Sequence, residues 1–360
     1  MTSIGIPKEI KSGEARVGLT PVEVRALAGN EHVIRVETQA GALAGFDDAH
    51  YREAGAEIVA DAASVYACDL IAKVKEIQQS EFALLRRGQI LCGFAQVARD
   101  AALLDALLHS GVSVVAYEAL RDAHGNLPVL APMSRIAGTM SASVAQWCLQ
   151  TAQGGRGVLL GPDACIVIVG AGVSGLAAAE VFYRLGCAVT VVLRDQHRAQ
   201  TLLKRLPKGV RCVGINSLAE LLPRCDVLIG AASVLGALSP KLITRVMMHS
   251  MPKGAAFVDI GIDMGGIAET SKQTTWSAPI YVDEGVVHFC VANIPAQVPQ
   301  AATASLAAAA LPYVLAVAEH GVIAAAGLDA GLATAVQVFA GAVTSASVAR
   351  DTGRNYQQLF

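Results

Sequence analysis

The sequence is poor in charge, poor in aromatic residues and almost without net charge. Of its 360 residues, 16% are Asp, Glu, Lys or Arg and only 5% are Phe, Trp or Tyr. An ordinary soluble domain carries roughly 25% charged residues. The 28 basic and 30 acidic side chains leave a formal charge of −2. That offers no electrostatic footprint for nucleic acid or an anionic membrane, and neither partner is expected. The eight cysteines are scattered, with no C-x-x-C pair. They are expected to be reduced and buried, not paired or bound to zinc. The eight histidines show no ligand spacing with Cys or acidic residues, so no metal site is expected. The N-terminus, with Lys8, Glu9 and Lys11, lacks the apolar core of a signal peptide, and a cytoplasmic location is expected. The most apolar stretch, 301–349, contains Pro312, Glu319, His320 and Asp329. These are expected to interrupt any run of ~20 residues able to span a bilayer. No internal repeat is visible.

What is present is apolar and small. Hydrophobic residues make up 53% of the chain, led by Ala, Val and Leu, with 34 glycines. That composition excludes disorder and suits helices packed closely on sheets. A prior of ~150 residues per domain gives two domains. So few charges on so long a chain also point to surface buried in a homo-oligomer. Strands are predicted at 2–7, 32–37, 70–74, 90–94 and 112–117, with helices at 21–28 and 103–109. Thr20 caps the first of these helices and Pro21 starts it. After a turn-rich segment at 122–128, a helix is predicted to about residue 151. Further strands are predicted at 165–169, 189–193, 227–230 and 256–260. The last 60 or so residues read as Ala-rich helix. Strands alternating with helices predict parallel βαβ units and an α/β class.

One motif carries chemistry. Gly170-Ala171-Gly172-Val173-Ser174-Gly175 follows an apolar strand directly and opens an Ala-rich helix, with a second strand after it. That is the context a dinucleotide-binding G-x-G-x-x-G requires. Gly170 allows the tight turn, Gly172 the approach of a pyrophosphate, and Gly175 close packing of helix on strand. The N–H groups of Val173 and Ser174 at the helix start then face the phosphates. The second strand ends Leu193-Arg194-Asp195. A carboxylate at the tip binds the ribose 2′-OH of NAD, whereas Arg suits the 2′-phosphate of NADP. Leu193 supplies no carboxylate, and Arg194, with His197 and Arg198 nearby, can pair with a phosphate. NADP is therefore the expected preference, with NAD the alternative if Asp195 reaches the ribose.

The motifs together resemble a known family. Gly5-Ile6-Pro7-Lys8-Glu9, Glu14 with Arg16-Val17, and Thr20-Pro21 resemble alanine dehydrogenase and the NAD(H)-binding subunit of proton-translocating transhydrogenase. Lys73-Val74-Lys75-Glu76, Ala131-Pro132-Met133-Ser134 with Ala137-Gly138, and Gly154-Gly155-Arg156-Gly157 favour the dehydrogenase. Further matches are Val258-Asp259-Ile260, Ile262-Asp263, Gly265-Gly266, Val291-Ala292-Asn293-Ile294-Pro295 and Pro312-Tyr313-Val314. The resemblance spans nearly the whole chain. It implies two Rossmann-like, doubly wound domains with a cleft between them. A substrate domain from 1–130 plus 300–360 would frame a nucleotide domain at 131–299. It also implies a homo-oligomer, hexamer or dimer, and the interconversion of alanine with pyruvate and ammonia.

Site roles follow residue by residue. Arg16 matches the binder of the substrate carboxylate, a role that suits a guanidinium fork. Lys75 matches the lysine that contacts substrate oxygen atoms and can move a proton. Lys73, two residues earlier, points the same way on a strand, and its sharing that work is the alternative. Asp263 matches the active-site aspartate. Met133, Ser134 and Asn293 match positions near the nicotinamide and phosphates. One departure stands out. Where the family carries a catalytic histidine, this chain reads Phe94-Ala95-Gln96-Val97. Gln96 can donate and accept hydrogen bonds but cannot transfer a proton near neutral pH. The segment Pro299-Gln300-Ala301-Ala302-Thr303 and the tip residue Leu193 also depart from the family pattern. The expected activity is thus an NAD(P)-dependent amino-acid dehydrogenase or imine reductase acting on an imino or oxo acid other than pyruvate. Plain alanine dehydrogenase activity and a non-catalytic, transhydrogenase-like nucleotide-binding subunit are the alternatives.

Overall fold

The computed structural model describes residues 1–195, 199–232 and 239–360. It divides into two compact units, Met1–Met133 with Ala296–Phe360, and Ser134–Pro295. The N-terminal segment supplies β1 (Ser3–Ile6), β2 (Val33–Glu37), β3 (Glu57–Val59), β4 (Leu70–Ala72), β5 (Ile90–Gly93) and β6 (Ser113–Ala116). The middle of the chain supplies β7 (Cys165–Val169), β8 (Ala188–Leu193), β9 (Arg211–Gly214), β10 (Val227–Gly230), β11 (Ala256–Asp259), β12 (Ile280–Asp283) and β13 (Val286–Phe289). The C-terminal segment returns to the first unit with β14 (Val336–Phe339) and β15 (Ala342–Val343).

Both sheets have the same plan. In the first unit the parallel strands run β3-β2-β1-β4-β5-β6, and β14 and β15 add antiparallel edges beyond β6. In the second unit the order is β9-β8-β7-β10-β11-β13, with β12 antiparallel at the edge. Each parallel set is the 3-2-1-4-5-6 order of a doubly wound fold, reversing between β1 and β4 or between β7 and β10. Burial on both faces explains the continuous apolar runs. Along β7, Ile166 and Ile168 pack with the helices Leu130–Cys148 and Val173–Arg184, while Val167 and Val169 pack on the opposite face with Leu218, Leu222 and Met248. The capping expectation at Thr20 holds: its hydroxyl accepts the Val22 N–H at 3.1 Å, and Glu23 accepts the Thr20 N–H at 3.1 Å.

Two expectations need correction. The last 60 residues are not all helical, because β14 and β15 lie among them. Those strands are short and take their identity from antiparallel pairing with β6, which no local pattern announces. Pro312 and Glu319 do not break the apolar stretch either. Residues Pro299–Leu328 are helical throughout except at Gly321, where φ of 73° and ψ of 166° break the run into two helices joined at a kink, and Pro312 and Glu319 both lie within the first. By length and composition the whole run is long and apolar enough to cross a membrane. Its buried residues, among them Ala302, Leu306, Ala310, Val314 and Val317, recur every three or four positions inside the first unit. A core helix reaches high hydropathy in the same way.

Candidate functional site

In the first unit the candidate residues gather at the carboxyl ends of adjacent parallel strands. Glu9 follows β1, Lys75 follows β4, Gln96 follows β5 and Glu118 follows β6. Ligands of open α/β sheets bind beyond these ends, at the point where strand order reverses. Gly18 allows the chain carrying Arg16 to lie against the end of β4. A Cβ there would stand 2.2 Å from the Ala72 carbonyl oxygen.

Arg16 is 2% exposed and already gripped by Glu14. Its Nε donates to Oε1 at 2.7 Å and its Nη2 to Oε2 at 2.5 Å. This bidentate pair fixes the plane of the guanidinium. Nη1 reaches Met133 Sδ at 3.0 Å, so Arg16 and Met133, two residues singled out separately from the sequence, meet. The buried hydroxyl of Thr303, in the departing segment 299–303, accepts the Val17 N–H at 3.3 Å.

Lys73 and Lys75 part company. Lys73 is 3% exposed, and its Nζ donates to Glu81 Oε1 at 2.7 Å with Glu9 Oε2 3.6 Å away. Tyr66 Oη donates to the same Glu81 oxygen at 2.9 Å. Lys73 therefore serves a buried ion cluster, and the idea that it shares the work of Lys75 is withdrawn. Lys75 is half-buried. Its backbone N–H donates to Glu9 Oε1 at 3.2 Å, and that of Val74 donates to the same oxygen at 2.6 Å. Burial pushes the Glu9 carboxyl pKa up, while the Lys73 charge pulls it down.

Gln96 occupies a left-handed backbone, with φ of 45°, which is uncommon for a residue with a Cβ. Glu118 holds this loop: Oε1 accepts the Gln96 N–H at 2.7 Å and Oε2 the Ala95 N–H at 3.2 Å. Burial pushes the Glu118 carboxyl pKa up, against these backbone bonds and the nearby Lys75 charge. Glu118 was not singled out from the sequence. Its one signal there is an acidic residue directly after an apolar strand.

In the second unit the glycine loop joins β7 to the helix Val173–Arg184. Gly170 has φ of 109°, and a Cβ on it would meet the Ala231 carbonyl oxygen at 2.6 Å. A Cβ on Gly175 would stand 2.0 Å from the Gly170 oxygen, whereas one on Gly172 would meet nothing within 4 Å. Gly172 is the N-cap and provides no side-chain cap to the helix. Open space at Gly172 beside uncapped N–H groups, Val173 and Ser174 among the first residues of the helix, fits a dinucleotide pyrophosphate. Gly138 has a packing role: a Cβ on it would stand 2.1 Å from the Ser174 carbonyl oxygen. The helix Leu130–Cys148 thus abuts the loop, and half-buried Ser134 lies one turn before that contact.

At the end of β8, Leu193 is buried while Arg194 and Asp195 are exposed. Arg198 lies outside the described residues, as does His197. Asp263 is exposed on the 3-10 turn Ile260–Met264 that follows β11. Asp259 anchors that turn, accepting from the Gly261 and Ile267 N–H groups at 3.1 and 3.0 Å and from the Ser271 hydroxyl at 2.6 Å. Asn293 holds φ of 58°, a conformation asparagine tolerates well.

Residues 5–137 match the model described as "Alanine dehydrogenase/PNT, N-terminal domain", and residues 141–346 match "Alanine dehydrogenase/PNT, C-terminal domain". The chain is 42% identical to a protein of Halomonas elongata named alanine dehydrogenase, covering 98% of this chain and 97% of that one. It is 40% identical to alanine dehydrogenase 2 of Staphylococcus aureus, covering 99% and 98%. A solved L-alanine dehydrogenase superposes with a TM-score of 0.93 at 35% identity, over 98% of this chain and 99% of that one. A transhydrogenase from Sinorhizobium meliloti, at 23% identity and a TM-score of 0.82 over 96% and 99%, shares the fold.

Proposed function

The chain belongs to the alanine dehydrogenase/PNT family and is a nicotinamide-dependent oxidoreductase acting on CH–NH2 groups, and we propose that its own substrate is an imino or oxo acid other than pyruvate. The observation that carries this reading is Gln96, set on the loop after β5 and held there by Glu118, yet unable to exchange a proton. A preformed imine, cyclic or linear, suits such a site because it needs no protonation and dehydration of a carbonyl.

The first unit would hold the substrate. Arg16, its guanidinium plane fixed by Glu14, would receive the substrate carboxylate. Lys75, held through its backbone by Glu9, would give a proton to the imine nitrogen. Gln96 would orient the same group by hydrogen bonds. The second unit would hold the nucleotide, with Gly170, Gly172, Val173, Ser174 and Gly175 at the pyrophosphate and Ser134 and Asn293 beside it. A bound nicotinamide supplies the hydride from its C4. Asp263 would take or return a proton at its carboxylate.

The test is an assay of the purified protein with either reduced nicotinamide, pairing pyruvate plus ammonia against cyclic imino acids and longer oxo acids with ammonia. Turnover of an imino acid at least about tenfold above that of pyruvate in kcat/KM is expected. Pyruvate as the best substrate would favour the activity named for the relatives and sink this reading. Tight nucleotide binding with no turnover of any substrate would favour a binding subunit.

For the cofactor, we propose NADP over NAD, supported by buried Leu193 at the strand tip and exposed Arg194 next to it. Arg194→Ala is expected to raise the KM for NADPH about tenfold while leaving that for NADH unchanged, the loss of one charge-assisted phosphate contact. An equal change for both nucleotides would return the preference to NAD.

A further inference from the structure

Two carboxylates in the first unit do the same thing at neighbouring strand ends. Glu9, after β1, accepts the consecutive N–H groups of Val74 and Lys75 on the loop leaving β4. Glu118, after β6, accepts the consecutive N–H groups of Ala95 and Gln96 on the loop leaving β5. Successive backbone N–H groups converging on one carboxylate form an anion nest, here filled by the protein itself. The filled nest at 95–96 differs from that at 74–75 in one respect. Its second residue, Gln96, sits at φ of 45°. An L-residue keeps such a backbone only when its surroundings impose it.

Resting on the reading that Gln96 meets the substrate, we propose that Glu118 is the positioning residue for Gln96. Both its oxygens are engaged by the loop, so it acts through Gln96 and does not itself reach the reacting atoms. The side chain has a second anchor: Gln96 Oε1 accepts from Arg99 Nη1 at 3.3 Å. The backbone is thus fixed by Glu118 and the direction of the amide by Arg99. A neutral glutamine at 118 keeps the volume but turns one acceptor into an NH2 group, which can satisfy only one of the two N–H donors.

The experiment is a double-mutant cycle of Glu118→Gln and Gln96→Gly in the full-length protein, assayed with the best substrate of the panel. Glycine accepts the left-handed backbone without strain and removes the side chain being positioned. Glu118→Gln alone is expected to lower kcat about tenfold with the KM for nicotinamide unchanged. In the Gln96→Gly background the same change is expected to alter kcat by less than about twofold. Hydrogen exchange at the Ala95 and Gln96 amides is expected to quicken about tenfold in Glu118→Gln, as their acceptor is lost. Equal kcat losses in both backgrounds, or unchanged exchange, would overturn the proposal. A Gln96→Gly protein with unchanged kcat and KM would instead overturn the assignment of Gln96 on which it rests. Should Glu118→Gln fail to fold, Glu118→Asp, which keeps the charge and shortens the reach, enters the same cycle.

Discussion

Lys73→Met is expected to destabilise the protein by about 3–5 kcal/mol, the cost of removing one partner from a buried ion cluster. Lys73, Glu9 and Glu81 have side chains 3%, 1% and 4% exposed, and one ammonium faces two carboxylates. Without it, both carboxylates stay buried with no opposing charge, beside a Tyr66 hydroxyl whose own pKa burial and Glu81 already push up. Urea denaturation at neutral pH reads the loss directly. The sign of its pH dependence follows from Glu9, whose folded-state pKa is raised. A raised carboxyl binds its proton more tightly in the folded than in the unfolded protein, so folding gains as pH falls toward the unfolded value. Without the Lys73 charge, which holds the Glu9 pKa down, that pKa rises further than in the parent, so the variant gains more on acidification and its deficit should shrink between neutral pH and about pH 5. A variant as stable as the parent at neutral pH would mean that the buried Lys73–Glu81 pair contributes no net stability.

Gly175→Val is expected to weaken nicotinamide nucleotide binding by about 100-fold, or about 2.7 kcal/mol. A Cβ on Gly175 would lie 2.0 Å from the Gly170 carbonyl oxygen, a backbone atom that cannot rotate away. The helix Val173–Arg184 must then retreat from β7, carrying with it the N–H groups that would meet the pyrophosphate. The thermal midpoint should fall as well, because Gly175 is buried in the packing of the second unit. Gly172→Ala separates binding from folding. Its φ of −73° suits alanine, and a Cβ there meets no protein atom within 4 Å. It should leave the midpoint unchanged and still lower affinity, since the methyl projects where the phosphate would lie. Fluorescence titration with reduced nicotinamide, beside a thermal melt, measures both. Unchanged affinity in both variants would remove the loop from the nucleotide site.

Much of the architecture was legible in the chain because its strands are buried on both faces and read as apolar runs. β7 and β10 match the expected strands to the residue, and β8 and β11 to within one. The strands that were not legible lie at or next to sheet edges. β3 and β9 are short and carry polar residues, such as Glu57 and Arg211, because one side of an edge strand faces solvent. β12, β14 and β15 depend on antiparallel partners distant or adjacent in the chain. The site divided in the same way. The glycine loop could be found because its chemistry is written in consecutive residues. Glu118 could not, because it works on residues 22 and 23 positions earlier.

Sequence alone determined the α/β class, the G-x-G-x-x-G loop in its strand–helix context and the presence of a glutamine, Gln96, just after the fifth strand. Each is a property of residue type at a position. Tertiary structure alone decided which of two lysines, Lys73 and Lys75, is buried in an ion cluster and which is held at a strand end. It also decided that Arg16 meets Met133, and that Glu9 and Glu118 grip neighbouring loops. The reason is physical: side-chain type fixes what a group can donate, accept or bury, but the shift of a pKa and the aim of an amide depend on what the fold brings alongside. Lys73 and Lys75 are the same residue two positions apart, and only the carboxylates packed around them make them different.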